Sequence, residues 1–186
     1  MAKQIDDEQV FEAVLETLIE NGYSGSTTKK IAQKAGINEV TLFRKYGSKG
    51  KLVASAVTYE RLKIDDSKIQ YSGDLKRDLT QMVKSYSKIS IHQSKLFPLI
   101  VSEMVRYPEL KETMKTPHEI VQMFGKIISL YQANGELKNG VPILMVLNLL
   151  GPIIVHTMLN SANPELNLPP LDVDEHIERF LYGNTA

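Results

Sequence analysis

Cysteine is absent from all 186 residues, which excludes a disulfide framework and a thiolate metal site and suits a reducing cytoplasm. Net charge is absent too. Lys plus Arg and Asp plus Glu each number 22, so the bulk electrostatics select no polyanionic partner, and only the distribution of charge can be informative. No segment sustains the alternation of apolar and polar residues that a strand requires. The opening residues, MAKQIDDEQVFEAVLETLIENG, place acids where an export signal needs an apolar run, which predicts a cytoplasmic chain. His92, His118, His156 and His176 include no pair four residues apart, and no acidic loop completes a metal-ligand set. A Gly-rich phosphate loop and a nucleophile elbow are also missing, so no catalytic residue, metal or cofactor is expected.

What is present is a globular chain with 42% hydrophobic residues, enough for one sizeable core or two modest ones. Its longest apolar stretch, VPILMVLNLLGPIIVHTML from Val141, approaches the length of a membrane span. Asn148, Pro152 and His156 interrupt it, and a buried helix of a soluble protein is expected there, with no membrane partner.

Helical periodicity dominates, and the fold class expected is all-α, with about nine helices. The first runs from about Asp7 to Asn21, with acids in its first turn, a stripe of Val10, Phe11, Val14, Leu15 and Leu18, and Asn-Gly at its end. Thr27 caps a short second helix carrying Ile31, Ala32 and Ala35, which Gly36 stops; Asn38 caps a third, Glu39 to Tyr46, which Gly47 stops. Ser48 caps a fourth, running to about Asp65. Beyond residue 66, helices are expected at about 74–92, 95–107, 117–134, 141–160 and 173–182, with a proline-rich loop, SANPELNLPPL, before the last. The domains expected are 1–52, with the fourth helix (about 48–65) connecting, and 53–186.

Charge is concentrated in one place. Between Ser24 and Leu52 stand seven cations, Lys29, Lys30, Lys34, Arg44, Lys45, Lys49 and Lys51, against Glu39 alone, a net of +6 that leaves −6 for the rest. Two short helices joined at Gly36 have the spacing of a helix-turn-helix, whose second helix enters the major groove by its N-terminal residues. Small Ala32 and Ala35 let the helices cross closely. Leu42 and Tyr46, one turn apart, hold the second helix inward and leave Glu39, Val40, Thr41, Phe43, Arg44 and Lys45 on its other faces. Cations at the periphery suit phosphate neutralisation.

The run NGYSGSTTKKIAQKAGINEVTLFRKYGSKGKLV closely resembles the tetracycline-repressor (TetR) family of bacterial transcription regulators. The resemblance covers roughly the first fifty residues and lies in the "NGY", the "TT.K.IA..AG" helix, the following helix with Leu42 and Tyr46, and "SK..L". It implies phosphate contacts from Thr27 and Thr28, DNA contact by Thr41, Phe43 and Lys45, a phosphate contact from Lys49, and sequence reading by Asn38, Glu39, Val40 and Arg44. Three positions depart from the family's commonest choices. Phe43 stands where tyrosine is usual and would offer a ring to a thymine methyl or sugar. Lys45 replaces a frequent histidine. Glu39 either stabilises its helix N-terminus or accepts from a cytosine amino group.

A helix-turn-helix of this size reads few base pairs, so two copies on a pseudo-palindrome of double-stranded DNA are expected. The helix from Val141 is apolar on nearly every face, which suits packing on its own core and on a partner subunit. In the resembled family the last two helices form the dimer interface, and Leu147, Gly151, Ile154, Met158, Ile177, Phe180 and Leu181 are the residues this implies here. Met82, Tyr86, Phe97, Ile100, Met104, Met123, Phe124, Ile127 and Tyr131 either line an adaptable apolar cavity or fill a core. His156 joins this set as a ligand contact or as a satisfied core histidine. ANGEL from Ala133 and YPEL from Tyr107 read as turn elements.

The expectation is thus a homodimeric DNA-binding regulator, a repressor released by a small hydrophobic effector. The rivals are a regulator with no effector and a helical enzyme or carrier of hydrophobic ligands that retains the N-terminal module.

Overall fold

The computed structural model describes residues 6–62, 69–87 and 91–185. They form nine α-helices: α1 (Asp7–Gly25), α2 (Thr28–Lys34), α3 (Glu39–Tyr46), α4 (Lys49–Leu62), α5 (Leu75–Ser87), α6 (Ile91–Glu103), α7 (Lys115–Ala133), α8 (Pro142–Ala162) and α9 (Val173–Asn184). Two 3-10 segments, Pro108–Met114 and Pro164–Leu166, join them. The all-α class holds. The only bridge between extended residues among those described pairs Leu137 with Thr185.

Local chemistry sets the helix ends. The Asp6 carboxylate accepts from the Glu8 amide at 3.1 Å at the start of α1, and Asp7 and Glu8 follow in the turn where the helix dipole favours anions. α1 does not run straight to Gly25. Gly22, at φ 66° and ψ 177°, breaks the helical course just after the expected Asn21 terminus, in a region that is essentially restricted to glycine and costs another residue on the order of 1–3 kcal/mol. Thr27 caps α2 by accepting from the Lys30 amide at 3.2 Å, and Asn38 caps α3 by accepting from the Val40 amide at 2.8 Å.

Other boundaries moved. The expected end of the fourth helix near Asp65 lies outside the described residues. Of the helix expected across 74–92, α5 covers Leu75–Ser87, residues 88–90 lie outside the described residues, and α6 covers Ile91–Glu103. α6 ends at Glu103 and the chain turns at Met104 to Arg106, because Pro108, which has no amide hydrogen and constrains the residue before it, opens a tighter segment instead. Pro152 does not interrupt α8, which passes through it.

The chain forms two compact units. The first comprises residues 1–63 and 90–116, the second 64–89 and 117–186. In the first, Val10, Val14, Leu15 and Leu18 of α1 meet Ile31 and Ala32 of α2, Leu42 of α3, Leu52, Val53 and Ala56 of α4, and Leu96, Ile100 and Leu110. In the second, Leu79, Met82 and Val83 of α5 pack with Phe124, Ile128 and Tyr131 of α7, Val146, Leu149 and Leu150 of α8, and Ile177 and Phe180 of α9.

α8 is long and apolar enough to cross a membrane by length and composition alone. It was expected to be buried; only Met145, Val146, Leu149, Leu150 and Ile153 are. Leu144, Leu147, Val155 and Leu159 are exposed.

Candidate nucleic-acid interface

α2 and α3 build the candidate surface. Gly36, at φ 64°, turns the chain between them, and the Ile37 amide donates to the Ala32 carbonyl at 3.0 Å to tighten the turn. Ala32, Ala35 and Leu42 are buried beneath, and Gly47, at φ 78°, ends α3 by donating its amide to the Phe43 carbonyl at 2.8 Å. A short helix is marginal by itself. What fixes α3 is Leu42 below it and a clasp at each end.

The N-terminal clasp is a hydrogen bond from the Thr28 hydroxyl to Glu39 Oε1 at 2.6 Å. Glu39 therefore does something that neither the dipole nor the cytosine reading anticipated: it ties the first turn of α3 to the first turn of α2. The C-terminal clasp is Asp7 of α1. Its carboxylate accepts from the Tyr46 hydroxyl at 2.6 Å and pairs with the Lys45 ammonium. Lys45, then Tyr46, hold the Asp7 carboxyl below the usual carboxylate value. Burial, then the hydrogen bond to Asp7, push the Tyr46 phenol up. Its ring packs on Phe11 at 5.7 Å between centroids, so Tyr46 is an inward anchor.

Between the clasps the outer face of α3 is open. Val40 is 73% exposed and Phe43 46%, an unusual outlay of apolar surface on a helix of eight residues. Arg44 and Lys45 are exposed beside them, and Thr41 is half-buried. Asn38 and Thr27 are exposed at the helix starts, with their side-chain oxygens engaged as caps. The proposed readers and the backbone contacts thus lie on one continuous stretch of chain, and the structure brings them together.

Lys49, like Thr28 and Lys45, is engaged within the protein. It was expected to reach a phosphate, yet its ammonium donates to the Tyr23 carbonyl at 2.6 Å and lies 3.9 Å from the centre of the Tyr23 ring. Burial pulls its pKa down, opposed by the charges of Glu109 and Glu103. With Lys51 it occupies the first turn of α4, which holds no acid, where the helix dipole disfavours cations. Lys34, by contrast, is bound to Glu16 at 3.0 Å and Glu20 at 2.7 Å across α1 and α2.

The residues expected to line a cavity divide between the units. Phe97, Ile100 and Met104 belong to the first; Met82, Tyr86, Met123, Phe124, Ile127, Tyr131 and His156 belong to the second. Met82, Ile100, Phe124, Ile127 and Tyr131 are buried in their own cores. Tyr86 and Met123 are partly buried against the second. His156 bonds through Nε2 to the Pro169 carbonyl at 2.7 Å and so fastens the proline-rich loop to α8. The side chain of His92 lies outside the described ones.

Of the expected interface residues, Leu147 is exposed, and Gly151, Ile154, Met158 and Leu181 are half-buried. Ile177 and Phe180 instead face their own core. They belong to the apolar stripe of α9, and that stripe closes on α5 and α8.

Sequence reasoning missed Asp78. It is buried, and its carboxylate accepts from the Ser72 amide at 2.7 Å, the Ser72 hydroxyl at 2.6 Å and the Tyr131 hydroxyl at 2.5 Å. An acid in the first turn of a helix reads as surface dipole compensation, and nothing in the local pattern signals Tyr131, 53 positions later.

A basic, partly apolar helix held by its neighbours and presented outward is the arrangement of a helix-turn-helix. Residues 10–56 match the model of a family described as bacterial regulatory proteins, tetR family. The segment that builds the helix-turn-helix is thus similar to that family of regulatory proteins. An uncharacterized HTH-type transcriptional regulator, YvkB of Bacillus subtilis (strain 168), is 27% identical over 113 residues, a stretch covering 55% of this chain and 60% of that relative. Among solved structures, the flavonoid-responsive regulator FrrA superposes with a TM-score of 0.71 at 21% identity over 96% of each chain. The transcriptional regulator FadR from Bacillus subtilis, in complex with stearoyl-CoA, does so with 0.71 at 17% identity over 95% of this chain and 96% of that one. At such identities the superpositions establish the fold.

Proposed function

We propose that the protein is a homodimeric repressor that binds a palindromic operator through α3 and is released by a small hydrophobic effector. The observation that carries the DNA reading is the outer face of α3, where Val40 and Phe43 are exposed beside Arg44 and Lys45. Apolar groups on such a face suit thymine methyls, and the cations suit guanine edges and phosphates. Asn38, Thr41, Thr27 and Thr28 stand at the helix starts, where side chains and amides meet phosphate oxygens.

A second copy of the chain is the partner for α8. Leu147, Val155 and Leu159 are exposed, and with Gly151 they recur every fourth residue along one face. A Cβ added at Gly151 would meet nothing within 4 Å, which leaves room for close approach of an equivalent helix about a two-fold axis. Ile154, Met158 and Leu181 flank this face. Two modules joined so would present two α3 helices to successive major grooves.

The effector reading draws support from the fold shared with FadR, which holds stearoyl-CoA in its structure, and with the flavonoid-responsive FrrA. The ligand would favour an arrangement in which the two α3 helices no longer match the half-site spacing, so that its differential affinity becomes lost operator affinity. α4 follows the DNA-contacting module in the chain and is the natural lever. A regulator with no effector is the second reading, favoured by Met82, Phe124 and Tyr131 being packed in a core.

The test is to recover the duplex preferred by the full chain and titrate its complex with acyl-CoA thioesters and flavonoids. Release by one class supports the reading; a complex indifferent to every ligand tried leaves the effector-free regulator.

A further inference from the structure

The sequence YPEL at Tyr107 to Leu110, read as a turn, folds back onto the start of α4 within the first unit. The Tyr107 ring packs on the Tyr23 ring at 4.8 Å between centroids, and Leu110 is buried in the same core. Glu109 accepts a hydrogen bond from the Tyr23 hydroxyl at 2.9 Å. Its aliphatic carbons lie so close to Gly50 that an added Cβ would stand 2.9 Å from Cγ and 3.1 Å from Cβ of Glu109. Tyr23 thus meets Glu109 through its hydroxyl, and through its carbonyl and ring it holds Lys49. The Glu109 and Glu103 charges both act on that ammonium.

We propose that Glu109 is a built-in competitor for Lys49: it is held on the same Tyr23 that holds the lysine, and its charge helps retain Lys49 there and so withholds one phosphate contact from DNA. This rests on the DNA-binding reading. A lysine that neutralises a phosphate releases a counterion, but one held at the Tyr23 carbonyl and ring, with a carboxylate on the same tyrosine, contributes less when DNA arrives, because it must first leave that place. The glycine at position 50 is what permits this approach, since a Cβ there would stand 2.9 Å from Glu109 Cγ and force a shift. Glu109 is therefore a positioning residue, acting on DNA only through Lys49.

The experiment measures binding of the full-length chain to an end-labelled, mixed-sequence duplex across a potassium chloride series, for wild type, E109Q, K49Q and the double variant. Glutamine keeps the length of Glu109 and an oxygen for the Tyr23 hydroxyl while removing the charge. E109Q is expected to bind about two- to fivefold more tightly at low salt, with a salt slope steeper by up to about one. K49Q is expected to bind more weakly, and in its background E109Q should change nothing. Equal affinity of E109Q and wild type, or a gain that persists without Lys49, would overturn the inference and leave the DNA reading standing. A wild-type chain that binds no duplex would overturn both. Far-ultraviolet dichroism of each variant verifies that helicity is intact.

Discussion

The Thr28 hydroxyl donates to Glu39 across the turn between α2 and α3, 2.6 Å from Oε1. The one acid in the basic stretch from Ser24 to Leu52 therefore fixes the angle at which α3 leaves the module. T28V, which keeps the shape and removes the donor, is expected to cost about 1 kcal/mol in urea unfolding. E39Q keeps an acceptor and removes a charge facing the proposed phosphates, and is expected to raise affinity for mixed-sequence duplex without that loss of stability.

Arg44 is exposed on the open face of α3, and its removal should be felt in DNA binding alone. R44A is expected to leave the thermal midpoint within a degree or two, to lose about 1–3 kcal/mol of preference for the selected duplex, and to relax specificity at the positions it reads. Parallel titrations of selected and scrambled duplexes separate that loss from a uniform phosphate effect.

Acid should loosen the C-terminal clasp. The folded-state pKa of Asp7 lies below its ordinary value, through Lys45 first and Tyr46 second. Its contribution to stability is then fully present above the ordinary carboxylate pKa and is lost as pH falls through the folded-state value. D7N, which cannot ionise, is expected to be less stable than wild type near neutrality and to converge with it as pH drops below about 4. Urea midpoints measured across that range give the comparison.

The buried Asp78 cluster should be a strong point of the second unit. Y131F removes one of the three hydrogen bonds to the carboxylate and is expected to cost about 1–3 kcal/mol, as for a buried acceptor that loses its donor. S72A, which also removes a side-chain donor but leaves the Ser72 amide in place, should cost less. Calorimetric midpoints of the two variants test the order.

The elements of the reading head could be read from local chemistry. Thr27, Asn38 and Gly47 each act on backbone within a few residues of themselves, so their roles as caps and terminator follow from sequence neighbours. Leu42 declares itself by helical period. The clasps do not, because Asp7 lies 39 positions from Tyr46 and Glu109 lies 86 from Tyr23; only the folded chain brings them together. Lys49 misled for the same reason: a lysine at a helix start looks free until Tyr23, 26 positions away, is in place. Ile177 and Phe180 show a further limit. An amphipathic stripe says that one face is covered, not whether the cover is the chain's own core or another molecule.

The central claim is that α3, presented twice, reads duplex DNA, and the most direct measurement is sequence selection by the full-length protein from a random duplex pool at physiological salt. The account predicts enrichment of an inverted repeat whose half-sites lie about one helical turn apart, and loss of that enrichment with V40A and R44A combined. Recovery of a pool no different from its input, by a correctly folded wild-type chain, would contradict it.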